Sequence, residues 1–201
     1  MSVKPKISVS GSSVNNCGPG AFKKSWEVGA EIAKQGAILI TGATIGIPEW
    51  ATRGAKAKKG YSIGLSPAAS KEEHIKKYHL PTSNMDVILY TGSGYAGRDL
   101  QLVRSSDAII EICGRVGTLN EFAVAFEDHK PIGILLGSGG ESAELPKIIS
   151  IAKSGKKNIF YDTDPARLVK KLVSEVRKRD HLLAAIERKN NAKHLKARNE
   201  E

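Results

Sequence analysis

DAIIEICGRVGTLNEF, residues 107–122, decides the fold. Its first part, DAIIEI (107–112), is a short, nearly continuous apolar run, the pattern of a parallel strand covered on both faces. Its second part, CGRVGTLNEF (113–122), reads as a glycine loop that passes into a helix, as at phosphate-binding turns. Arg115 stands where a second small residue would let backbone and ligand approach closely.

The same alternation extends in both directions. Strand-like runs occupy 6–11, 37–41, 61–66, 86–91, 131–136 and 158–162, which with 107–112 makes seven. Between the first two, Phe22, Trp26, Gly29 and Ala33 share one helical face, and Gly36 caps the helix end. Ile47-Pro48 opens a second helix, proline sitting where its missing N–H costs least. Asp164-Pro165 opens the last, with Leu168, Val169, Leu172, Val173 and Val176 as its packing stripe. The expected fold is α/β: a single doubly wound, mostly parallel sheet of about seven strands with helices on both faces, Rossmann-like. Residues 1–177 form this domain and 178–201 a basic helical tail, in which Leu182, Leu183 and Ile186 could pack on a partner subunit. Residues 67–85 lie between strands as a lid, a partner contact or an ordinary surface excursion.

A length of 201 residues fits one domain, and 40% hydrophobic with 26% charged residues is ordinary for a globular protein. No apolar run is long enough to cross a bilayer, and the N-terminus shows neither a secretory nor a transit pattern, so the expected compartment is the cytoplasm. Cys17 and Cys113 form no CxxC pair and are read as reduced thiols. His74, His79 and His129 are scattered without partners at ligand spacing, so no metal site is expected and the three are read as surface histidines. The net charge of +10 is concentrated near the end: residues 166–201 hold 11 Lys/Arg against 5 Asp/Glu. A solvated helix face explains that more simply than nucleic acid, since no aromatic-interleaved basic patch accompanies it.

Ligands of open parallel sheets bind beyond the carboxyl ends of the strands. Four loops rich in glycine and hydroxyl groups follow strand ends here: SGSSVNNCGPG (10–20), TGATIGIPEW (41–50), TGSGYAGRD (91–99) and CGRVGTLNEF (113–122). They gather Gly11, Ser12, Ser13, Gly42, Thr44, Gly46, Gly94, Gly114, Arg115, Gly117 and Thr118 on one rim, where N–H groups and helix N-termini attract an anion. None of the four has the GK[ST] of a P-loop or a complete GxGxxG, so neither an ATPase nor a dehydrogenase is favoured.

These loops, in this order and spacing over residues 6–136, resemble the Lonely Guy (LOG), or "lysine decarboxylase-like", family of Rossmann-type proteins, which includes a molybdenum-cofactor carrier branch. The Gly-x-Gly-Thr-x-x-Glu element is represented by Arg115 to Glu121 with Gly114 before it, and Arg98 matches an upstream arginine. The resemblance implies Arg98 and Glu121 as a catalytic pair for releasing the base of a nucleoside 5′-monophosphate. Glu121 would activate water and stabilise charge on the sugar, Arg98 would hold ribose or phosphate, and Gly117 and Thr118 would bind phosphate, opposite Gly11, Ser12 and Ser13. Asp99 stands where related enzymes often carry lysine, and Gly42-Ala43 and Gly114-Arg115 replace doubled glycines. Read without the resemblance, Glu121 is a first-turn carboxylate favoured by the helix dipole, Arg98 an exposed helix-start residue and Asp107 a cap or turn. The expectation is a homodimer that takes a small nucleotide-like ligand and requires no cofactor. A non-catalytic carrier of a nucleotide-like cofactor or signalling nucleotide is the alternative, and nucleic-acid association through the tail a third.

Overall fold

The computed structural model describes residues 3–13, 17, 19–152 and 158–199. Seven strands form one sheet: β1 (Lys6–Gly11), β2 (Ile38–Thr41), β3 (Ser62–Ser66), β4 (Val87–Tyr90), β5 (Ala108–Ile112), β6 (Ile132–Leu135) and β7 (Ile159–Asp162). Each coincides within a residue or so with a predicted run. All neighbouring strands pair in parallel, in the order β4-β3-β2-β1-β5-β6-β7. The chain therefore builds outward from β1 in one direction, returns, and continues from β5 in the other. The switch point lies between β1 and β5, where Val9 is in register with Ile110 and Gly11 with Ile112.

Helices α1 (Pro19–Lys34), α2 (Ile47–Ala57) and α7 (Pro165–Asn199) cover one face; α4 (Gly94–Ser105), α5 (Val116–Glu127) and α6 (Leu145–Ala152) cover the other. The short α3 (Lys71–Lys76) lies within the 67–85 excursion. Side chains alternate across a strand, so the sheet feeds two cores. Ile7, Val9, Ile110 and Ile112 face the first with Val28, Ile32, Leu168 and Leu172; Ile40, Ile109, Ile132 and Ile134 face the second with Leu102 and Phe122. β1 differs on that second face, where Ser8 and Ser10 are buried instead of aliphatic residues.

Two expectations are corrected. Cys17 and Cys113 are joined in a disulfide across 96 residues of sequence. Their separation in the chain hid a proximity that the β1–β5 pairing creates, since each cysteine follows one of those strands. His74 is fully buried, not on the surface: its Nδ1 meets the Ser66 hydroxyl at 2.8 Å and its Nε2 the Pro81 carbonyl at 3.0 Å. The histidine thus pins the excursion to β3, with Ser70 capping α3 by accepting the Glu73 N–H. His79 and His129 are exposed. α7 passes residue 177 without a break, so the boundary drawn there from composition falls inside one helix.

Candidate functional site

A cavity of about 210 Å³ opens beyond the carboxyl ends of β1, β2 and β5. Thirteen of the described residues line it: Val9, Ser10, Gly11, Ser13, Gly42, Thr44, Pro48, Tyr95, Arg98, Asp99, Gly117, Thr118 and Glu121. The loop after β1 contributes one wall, the β2–α2 loop the second, the first two turns of α4 the third, and the N-terminus of α5 the fourth. That is the rim a doubly wound sheet provides at its switch point.

Eight of the thirteen sequence-derived site residues meet here: Gly11, Ser13, Gly42, Thr44, Arg98, Gly117, Thr118 and Glu121. Five do not line the cavity. Ser12 links its walls, its N–H donating to the Cys113 carbonyl and its own carbonyl accepting the Ile47 N–H at 3.0 Å each. Gly46 lies behind that contact; its φ of 76° and the proximity of the Ser12 carbonyl leave no room for a Cβ. Gly94 opens α4, Gly114 is buried beside the disulfide, and Arg115 is an exposed residue at the N-cap of α5. Arg115 thus stands outside the wall that sequence reasoning placed it in.

The charged centre consists of Arg98, Asp99 and Glu121, exposed by only 6%, 5% and 6%. Arg98, expected as an exposed helix-start residue when read without the family pattern, is turned inward from α4. Its Nη1 lies 3.7 Å from Glu121 Oε1 and its Nη2 3.4 Å from Asp99 Oδ1. Among the described residues its buried Nε has no hydrogen-bond partner. Gly42 is required by this placement, because a Cβ there would collide with the guanidinium. Asn120 Nδ2 donates to Asp99 Oδ2 at 3.2 Å, and the Ser10 hydroxyl donates to Glu121 Oε2. Burial pushes the Glu121 carboxyl up to about 7; Asp99 adds to the rise, while Arg98 and the Ser10 hydroxyl oppose it. The group therefore changes charge near neutrality.

Sequence reasoning missed Ser10, Tyr95 and Asp99 as wall residues. For Ser10 a signal existed: serines at 8 and 10 alternate with apolar Ile7 and Val9 on a strand that should be buried on both faces. Asp99 was noted only as a departure from a lysine, and Tyr95 carried no signal, since its place depends on how α4 enters. Asp107, read as a cap, accepts the Lys6 N–H at 2.7 Å and pairs with Lys6 Nζ at 3.1 Å, far from the cavity. Among the described residues no three His, Cys, Asp or Glu side chains gather as a metal site, and no helix is long and apolar enough to cross a membrane.

Comparison with known proteins agrees with this architecture. A 32% identical protein of Archaeoglobus fulgidus, described only as uncharacterised, aligns over 119 residues, 59% of this chain and 73% of that protein. The structure of the target TM1055 superposes with a TM-score of 0.73 over 85% of this chain and 99% of its own, at 21% identity, a likeness of fold. The molybdenum cofactor binding protein of Rippkaea orientalis is 29% identical, with a TM-score of 0.69 over 87% of this chain and 98% of its own. The molybdenum cofactor carrier protein of Chlamydomonas reinhardtii is 26% identical, with a TM-score of 0.69 over 86% and 99%. Residues 4–169 match the model of the SLOG cluster4 family, within the LOG-like superfamily of Rossmann-type proteins, and the chain belongs to that family.

Proposed function

We propose that this protein binds a phosphorylated, nucleotide-like ligand in the β1–β5 cavity and hydrolyses the N-glycosidic bond of a nucleoside 5′-monophosphate. The observation that carries the proposal is the buried Arg98–Glu121 pair in a cavity that the N-terminus of α5 also lines. An anion is favoured at such a terminus by free N–H groups and by the helix dipole. Gly117 and Thr118 offer those groups, and Ser13 and Thr44 face them as further donors. Arg98 lines the same cavity and brings a guanidinium charge to a ribose or phosphate oxygen.

The chemistry asked of Glu121 is that of a carboxylate beside an oxocarbenium-like centre. In its ionised form it accepts a proton from water as the oxygen attacks C1′. The bond to the base nitrogen breaks, its electron pair leaves with the base, the base takes up a proton from solvent and Glu121 returns the one it accepted, so that one water is consumed. Ribose 5-phosphate and free base result. The Ser10 hydroxyl orients the Glu121 carboxylate, and Arg98 holds it against the sugar.

A second reading has a specific observation behind it. Asp99 places another carboxylate beside Glu121 and helps it retain a proton, which reduces the form able to act as base. Two structural relatives are named for binding or carrying molybdenum cofactor. On this reading the same rim holds the phosphate of a nucleotide-like cofactor without cleaving it. A homodimer in the cytoplasm, with the exposed Leu100 and Val116 of α4 and α5 beside the site, belongs to either reading.

Incubation of the protein with nucleoside monophosphates, followed by chromatography for free base and ribose 5-phosphate, separates the two. The enzymatic reading expects product from the wild type and a loss of at least about a hundredfold in Glu121→Gln, the scale of losing a positioned base. Nucleotide binding by calorimetry without product from either protein leaves the carrier reading.

A further inference from the structure

The cavity is open at its mouth, and its inner space is small against such a ligand. Sites for organic ligands of ordinary size take about 300–1,000 Å³, against about 210 Å³ here. On the nucleotide reading the phosphate and sugar take the charged part beside Arg98 and the N-terminus of α5, which leaves the heterocycle toward the mouth. Tyr95 is there: it lines the cavity from the first turn of α4 and is 48% exposed.

An exposed tyrosine on a helix start would ordinarily sample several rotamers. Tyr95 is instead held from two sides. Tyr78, from the 67–85 excursion, meets it edge to face, with ring centroids 5.5 Å apart and planes at 81°. The Arg98 guanidinium lies 6.0 Å from its ring centroid. The excursion is in turn fixed to β3 by buried His74. The segment read from sequence as a lid, a partner contact or an excursion thus contributes no cavity wall of its own, yet it sets an aromatic side chain at the entrance. Holding that ring in advance removes part of the ordering cost of binding.

We infer that Tyr95 is a specificity-determining residue that packs against the planar heterocycle of the ligand, with Tyr78 as the residue that positions it. The inference rests on the nucleotide reading of the site. Its chemistry selects phosphorylated compounds carrying an aromatic ring over phosphosugars, and it tolerates different ring identities because every base presents a π-face.

Calorimetric titration of the wild type, Tyr95→Ala, Tyr95→Phe and Tyr78→Ala with the four common nucleoside 5′-monophosphates and with ribose 5-phosphate tests it. Tyr95→Ala is expected to weaken the best-bound nucleotide by about tenfold or more, the scale of one base–aromatic contact. Ribose 5-phosphate affinity should stay unchanged, Tyr95→Phe should bind like the wild type, and Tyr78→Ala should show a smaller loss confined to nucleotides. Circular dichroism of each variant checks that the fold is kept. Equal losses for nucleotide and ribose 5-phosphate, or no nucleotide loss in Tyr95→Ala, overturn the inference while leaving the site's nucleotide reading standing. Failure of the wild type to bind any of these compounds overturns that reading and the inference with it.

Discussion

Asp99 and Glu121 put two carboxyl groups into one buried pocket with a single guanidinium between them. Like charges at such distances resist simultaneous ionisation, which is why Asp99 contributes to the rise of Glu121 to about 7. The sign for activity follows directly. If Glu121 acts as a base, hydrolysis rises as pH increases through about 7 and levels off above it, because the carboxylate accumulates in that direction. Asp99→Asn removes the negative charge, lowers the Glu121 pKa and moves the inflection to more acid pH. At pH 6 the variant's rate should increase several-fold, with a ceiling of about tenfold because only about a tenth of Glu121 is then ionised in the wild type. Initial rates measured from pH 5 to 9 check this, and an unmoved inflection would remove Asp99 from the account. Sequence alone gave access to Arg98 and Glu121 because both belong to a spaced pattern. It did not give their coupling to Asp99, which depends on α4 turning the arginine inward over Gly42.

At the scale of elements, strand positions were legible because most are short apolar runs followed within two residues by glycine or a hydroxyl residue, and a central strand such as β5 is buried throughout. The disulfide was not legible. Cys17 and Cys113 are ordinary residues of two loops, and only the placing of β5 beside β1 brings them together. The consequence is local as well as global. The bond ties the loop bearing Gly11 and Ser13 to the one leading into Gly117 and Thr118, so both anion-binding walls hang from one crosslink. A crosslink closing so long a loop typically contributes about 2–4 kcal/mol, chiefly by restricting the unfolded chain. Cys17→Ser/Cys113→Ser should therefore melt lower than the wild type by roughly 5–15 °C, given about 2–4 °C per kcal/mol in a chain of this size. Scanning calorimetry without reductant makes the comparison, and reductant should bring the wild type toward the variant. The bond is at odds with the cytoplasmic compartment proposed above, where thiols are kept reduced. Rapid alkylation of cell extracts followed by mass spectrometry of the two cysteine peptides reads the state directly, and a fully alkylated pair would show that the crosslink is absent in the cell.

The molecule as a whole divides more sharply by energetics than by secondary structure. α7 is continuous from Pro165 to Asn199, yet its two parts have different surroundings. Leu168, Val169, Leu172, Val173 and Val176 are at most 2% exposed, whereas Leu182, Leu183 and Ile186 are 62%, 62% and 54% exposed. The composition shift that set the boundary at 177 therefore marks where the helix stops packing on the sheet, even though the helix itself runs on. Truncation after Arg177 should keep all five buried side chains and the Arg177 bond to the Gln35 carbonyl. It removes the Arg179 hydrogen bonds to the His129 carbonyl and Asn158 Oδ1, at 3.0 and 2.7 Å. Each such bond contributes about 0.5–1.5 kcal/mol net, so the shortened protein should melt only a few degrees lower. Truncation after Arg167 is a different matter: five buried aliphatic side chains at about 1.5–3 kcal/mol each approach or exceed the usual 5–15 kcal/mol stability of a domain. That shorter form should fail to fold. Nucleotide affinity should survive the first truncation, because among the described residues none that lines the cavity lies beyond Glu121. Any nucleic-acid binding that falls steeply with salt should disappear with it, since residues 178–201 carry 7 Lys/Arg against 4 Asp/Glu. Calorimetric melting and nucleotide titration of the protein truncated after Arg177 decide the point, and lost nucleotide binding in a folded truncate would mean that the tail takes part in the site.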